Sequence, residues 1–79
     1  MRFDLNLKQL KIFYYAARHL NFRRAAEELF VSQPAVSMQI QSLEEAFGTP
    51  LFSRAKKKLA LTEAGRLLFT YAERIMHLA

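Results

Sequence analysis

Cysteine is missing from the chain altogether. Disulfides and thiolate metal sites are thereby excluded, and a reduced, intracellular setting fits. Glycine and proline number two each, too few for a disordered chain or a turn-rich β fold. No apolar run approaches the roughly 18–20 residues of a membrane-spanning helix. The opening Met1-Arg2-Phe3-Asp4-Leu5-Asn6 lacks the apolar core and small-residue cleavage pattern of a secretion signal, so a cytoplasmic location is expected. Acid is also in short supply: 7 Asp and Glu face 12 Lys and Arg, a net charge of +5. A surplus of that size on so short a chain points to a polyanionic partner, nucleic acid first and an anionic membrane surface second. What is present is 79 residues, 52% of them hydrophobic. That is one small domain, with no room for a second core or a large enzyme cleft, and the low glycine and proline content suggests that it is mostly helical.

Hydrophobic spacing divides the chain into elements. Leu7, Leu10, Phe13, Tyr14 and Ala17 form one helical stripe. Asn6 can cap that helix, Gln9 completes a capping-box-like pair, and Arg18-His19 suit its carboxyl end. Phe22, Ala25, Ala26, Leu29 and Phe30 make a second stripe capped by Asn21, with Arg23, Arg24, Glu27 and Glu28 on the opposite face. Ser32 caps a third helix whose first turn tolerates Pro34. Val36, Ile40, Leu43 and Phe47 are its expected buried side, and Gly48 stops it. With only Val31 and Ser32 between them, the second and third helices read as a helix-turn-helix. Leu51-Phe52 and Leu59-Ala60-Leu61 then flank Ser53-Arg54-Ala55-Lys56-Lys57-Lys58, which predicts a small β-hairpin with a basic tip. Thr62 caps a last helix running to the end of the chain.

The third helix carries the first candidate site. Opposite its apolar stripe lie Pro34, Ser37, Met38 and Gln41, with Gln33 beside them, and no residue from Leu29 to Leu43 is charged. A face that reads base edges needs donors and acceptors on short side chains, without acids that would repel phosphate; Ser and Gln supply both. A neutral surface or a protein interface would look the same on this helix alone. The run Arg54, Lys56, Lys57, Lys58 holds four cations in five positions without an acid. At a hairpin tip beside a helix-turn-helix these can reach flanking phosphates, and Arg54 can enter a minor groove. Arg23 and Arg24 are further phosphate candidates, equally readable as ordinary solvated residues.

The last helix is polar at Arg66, Thr70, Glu73, Arg74 and His77, but its apolar arc is wider than one small core needs. Its second half is expected to meet another chain along Leu68, Tyr71, Ala72, Ile75 and Leu78. Gly65, unfavourable inside a first turn, predicts close backbone packing there. Catalysis finds little support. His19 and His77 sit far apart, the serines have no positioned base, and the pairs Glu27-Glu28 and Glu44-Glu45 read as solubilising charge. Neither a glycine-rich phosphate loop nor a metal-ligand spacing is present, so no enzyme activity, cofactor or metal is expected.

Asn21-Phe22-Arg23-Arg24-Ala25-Ala26-Glu27-Glu28-Leu29, Val31-Ser32-Gln33-Pro34-Ala35-Val36-Ser37, Leu43-Glu44-Glu45 with Phe47-Gly48, Leu51-Phe52-Ser53-Arg54 and Leu61-Thr62-Glu63-Ala64-Gly65 together resemble the LysR-type transcriptional regulators, from about Leu5 onward. The resemblance implies a mainly α fold: a winged helix-turn-helix over 5–62, with the helix-turn-helix at about 22–41, a small two-stranded wing at about 51–61, and a long C-terminal linker helix over 62–79 that pairs two subunits. It implies binding to promoter DNA, usually at T/A-rich interrupted palindromes, as dimers or tetramers, in a cytoplasmic, nucleoid-associated protein. Small-molecule effectors of such regulators bind a separate large domain, absent from this chain, which resembles the amino-terminal quarter. By motif match Ser32, Gln33, Pro34, Ala35 and Ser37 fall where family members meet DNA, and Arg54 falls at the wing. Two positions depart from the pattern. Met38 stands where Arg is common, and Arg23 where Thr or Ser is frequent. The competing expectation is a winged-helix protein-interaction module without specific DNA binding; a basic amphipathic segment for membrane surfaces comes third.

Overall fold

The computed structural model describes residues 6–78, except the Lys56 side chain. Residue 5 and Ala79, at the ends of the expected ranges, lie outside the described residues, as does the opening segment before Asn6. The order is α1 (Leu7–His19), α2 (Phe22–Leu29), α3 (Gln33–Phe47), β1 (Phe52–Ser53), a 3-10 turn (Ala55–Lys57), β2 (Ala60–Leu61) and α4 (Glu63–Leu78). The two strands pair antiparallel, Phe52 with Leu61 and Ser53 with Ala60. This is the expected mainly helical, winged arrangement.

The helix starts are set by side-chain caps. Asn6 Oδ1 accepts from the Gln9 N–H, Asn21 Oδ1 from Arg24 N–H, Ser32 Oγ from Ala35 N–H and Thr62 Oγ1 from Gly65 N–H. Each cap satisfies a donor that the first turn leaves unpaired. The stops are left-handed residues: Leu20, Phe30 and Gly48 follow α1, α2 and α3. Gln9 does not close a capping box. Its side chain is buried and donates to Gln39 Oε1 at 3.2 Å, pinning α1 to α3.

The core gathers Leu10, Ile12 and Phe13 of α1, Phe22, Ala25 and Ala26 of α2, Val36, Ile40 and Leu43 of α3, and Leu51, Phe52 and Ala72. The small Ala16, Ala25 and Ala26 bring the first three helices close together. Tyr14 stacks on Phe69, ring centroids 5.5 Å apart, and holds α4 against α1. Three expected core residues are not in it. Leu7 is exposed in the first turn, and Ile12 and Ala16 complete the α1 stripe instead. Phe30 is 93% exposed, because the chain leaves the helix there in a left-handed turn; Phe30, Val31 and Ser32 therefore separate α2 from α3. Phe47, the last residue of α3, is 39% exposed and lines an apolar groove with Leu67, Leu68 and Tyr71.

The junction of wing and α4 is tight. The Thr62 N–H donates to Leu51 O at 3.0 Å and the Thr62 hydroxyl to Pro50 O at 2.7 Å. A methyl group on Gly65 would lie 2.1 Å from that same Leu51 oxygen. Glycine is required here for space. At Gly48, φ +72° with open surroundings, it suits the backbone.

Candidate nucleic-acid interface

The interface is built outward from the start of α3. Ser32 fixes its first turn, and Gln33, Pro34, Met38 and Gln41 stand exposed along one side, with Ala35 and Ser37 half-buried behind them. Met38 is 68% exposed, so this side of the helix faces away from Val36, Ile40 and Leu43. The end of a helix that presents unpaired N–H groups also carries the positive end of the helix dipole.

Two grooves adjoin this face. One is lined by Asn21, Phe22, Arg23, Gln33, Arg54 and Lys57, and brings together the starts of α2 and α3 and the wing tip. The other, between α3 and β1, is lined by Ser37, Gln41, Glu44, Phe52 and Arg54. Arg54 belongs to both. Its guanidinium carbon lies 5.3 Å from the centroid of the Phe22 ring, a cation–π placement that orients the charge without neutralising it. Phe22 is held in turn by Phe52, edge-on at 5.1 Å. Arg23, Gln33, Arg54 and Lys57, far apart in sequence, thus share one concave, cationic surface. Arg24 and Lys58 are exposed and line neither groove. The Lys56 side chain lies outside the described residues.

Glu44 departs from the solubilising role expected of it. It is half-buried, and its Oε2 accepts from the N–H groups of Leu51 at 2.8 Å and Phe52 at 3.1 Å. An acid in the carboxyl-terminal half of α3 opposes the helix dipole. That local conflict was the available sign of a tertiary partner.

On α4 the expected seam divides. Ala72 is 0% exposed, within this chain's own core, and Leu68 packs partly buried against it. Ala72 is not free to serve as expected, because the α4 side bearing Gly65, Phe69 and Ala72 is the one turned inward, whereas Leu68 keeps part of its surface in the apolar groove with Phe47, Leu67 and Tyr71. Leu67, Tyr71, Ile75 and Leu78 are exposed along the other side. No group of His, Asp and Glu among the described residues is arranged to hold a metal, and no helix among them is long and apolar enough to cross a membrane.

The family model for the bacterial regulatory helix-turn-helix protein, lysR family, matches residues 7–66. The RuBisCO operon transcriptional regulator of Allochromatium vinosum is 52% identical over 71 residues, which cover 90% of this chain and 24% of that protein. The HTH-type transcriptional regulator CfxR of Cupriavidus necator is 54% identical over 72 residues, 91% of this chain and 23% of that protein. The chain thus spans about a quarter of the length of these curated relatives. A crystal structure of a CbnR_DBD–DNA complex superposes with a TM-score of 0.84 at 38% identity, over 94% of this chain and 85% of that one. Helix-turn-helix, wing and long following helix are thus accounted for together: the chain belongs to the LysR family of bacterial regulatory helix-turn-helix proteins.

Proposed function

We propose that this chain is the sequence-specific, double-stranded-DNA-binding module of a LysR-type transcriptional regulator. The observation that carries the reading is the exposed, uncharged face of α3 set beside a groove that gathers Arg23, Arg54 and Lys57. In this reading α3 enters the major groove, Gln33, Met38 and Gln41 meet base edges, and Ser32, Pro34, Ala35 and Ser37 bring the backbone of the first turns close to the DNA. Arg54, Lys56, Lys57 and Lys58 follow the flanking phosphates, joined by Arg23 in the groove it shares with Arg54 and Lys57 and by Arg24 beside it in the first turn of α2. Likeness to a DNA-complexed relative supports the same docking. Two copies pair through α4 along Leu67, Tyr71, Ile75 and Leu78, and so match a T/A-rich interrupted palindrome. The work is done in the cytoplasm, at the nucleoid, and a small-molecule effector acts through a domain beyond these 79 residues.

The test is binding of the purified chain to a duplex selected from a random library and to an unselected duplex, across a salt series. A steep salt slope and clear preference for the selected duplex are expected. Gln33→Ala should cost about 1–3 kcal/mol on the selected duplex and much less on the other. Equal affinity of the unmodified chain for both duplexes would refute base reading, and no binding at low salt would favour a protein-interaction module.

A further inference from the structure

We propose that Glu44 is a positioning residue for DNA binding, which fixes the wing to α3 and so places Arg54; the proposal rests on the DNA-binding reading above. The wing has little order of its own. Its strands are two residues each, and so short a hairpin is not stable unaided. Its base must therefore be held from outside. Behind, the Thr62 N–H bonds the Leu51 carbonyl. In front, one Glu44 oxygen takes both the Leu51 and the Phe52 N–H. Glu44 shares a single rigid helix with Gln33, Met38 and Gln41, so those two bonds tie the first strand directly to the α3 face. Phe52 continues the line: its ring packs on Phe22, and Arg54 lies over that same ring.

The choice of an acid supports this. Glu44 lines the groove between α3 and β1 with Ser37, Gln41 and Arg54. A free carboxylate there would repel DNA phosphates. Engaged by two amides, it makes strong charge-assisted bonds while its negative charge is partly offset at the source.

The experiment combines substitutions at three positions, 33, 44 and 54, on the selected and unselected duplexes. In the otherwise unmodified chain, Arg54→Ala is expected to lower affinity about tenfold, the order of one lost charge-assisted contact. In a Glu44→Ala background the same change should cost less than about twofold. The discrimination lost in Gln33→Ala should be the same in both backgrounds, which a general loss of stability would not leave intact. Glu44→Gln, whose amide oxygen can still accept, should restore most of the Arg54 effect. An undiminished Arg54 effect in Glu44→Ala overturns the proposal, as does loss of the Gln33 effect there. Should Glu44→Ala be too unstable to measure, Glu44→Asp, one methylene short of both amides, takes its place with the same criteria. Amide exchange of Leu51 and Phe52 in the DNA-free chain separates this from failure of the DNA-binding reading. Faster exchange at both in Glu44→Ala and near-normal exchange in Glu44→Gln are expected, and unchanged exchange in Glu44→Ala overturns the attachment even if the chain binds no DNA.

Discussion

Met38 is a large apolar side chain 68% exposed on a face otherwise made of Gln, Ser and Pro. It can touch a thymine methyl group but cannot pair with guanine. Met38→Arg should raise affinity for all duplexes and shift selection toward a G at one position of each half-site. Its melting temperature should hardly move, since nothing is removed from the core; a loss of many degrees would show that the thioether is packed after all. Gly65 lies at the opposite extreme. Alanine is ordinarily preferred to glycine inside a helix by about 1 kcal/mol. Here the added methyl would lie 2.1 Å from Leu51 O, and backbone must yield. Gly65→Ala is expected to destabilise by about 2 kcal/mol or more, read as a lowered denaturation midpoint in urea. An unchanged midpoint would mean that the α4 start can shift without cost.

Among the elements, wing and α3 should part company when each is altered. Lys57 is exposed on the tip, beside Arg23, Gln33 and Arg54. Lys57→Ala should weaken binding about equally on every duplex and lower the salt slope by about one unit, as loss of a phosphate contact does; a sequence-dependent loss in the same titrations would contradict that role. How far these elements could be read from the sequence depends on how local their causes are. The caps Asn6, Asn21, Ser32 and Thr62 were legible because a cap bonds within its own first turn. The directions of the α1, α2 and α3 stripes were legible because periodicity fixes a phase. Periodicity misplaces Phe30 and Phe47 because phase does not say where a helix is left behind: one stands on a left-handed turn, the other at a helix end. On α4 the apolar arc is so wide that it carries almost no phase, so the pattern offers Ala72 to a partner although it belongs to the core. By its sequence neighbourhood Glu44 reads as a solvated acid, because its partners Leu51 and Phe52 lie past Gly48 and Pro50, beyond any local pattern. Of the expected interface, the α3 face was visible in the sequence; the meeting of Arg23, Gln33, Arg54 and Lys57 in one groove was not.

For the molecule as a whole, the proposed pairing through α4 would set how many copies act together. At 16 residues it is about 24 Å long at ~1.5 Å per residue, and its exposed Leu67, Tyr71, Ile75 and Leu78 form a stripe along the side away from the core. Ile75→Asp should abolish a concentration-dependent dimer while the monomer still folds. Ala72→Asp should instead unfold the monomer, because the charge would enter the core. Sedimentation together with circular dichroism distinguishes the two, and a wild type that stays monomeric at high concentration, with or without DNA, would defeat pairing through this helix. The division of α3 into two sets of side chains has a consequence for descent. Val36, Ile40 and Leu43 face the core and Gln33, Met38 and Gln41 face outward, with Ala35, Ser37 and Glu44 half-buried between the two sets. Mutation can therefore explore the outward set while selection for folding holds the inward one. After gene duplication, two copies could drift to different operators without passing through an unfolded ancestor. A library randomised at positions 33, 38 and 41 would then consist largely of folded members with divergent site preferences, and the variety of regulators this scaffold can supply would be limited by the chemistry of base recognition more than by stability.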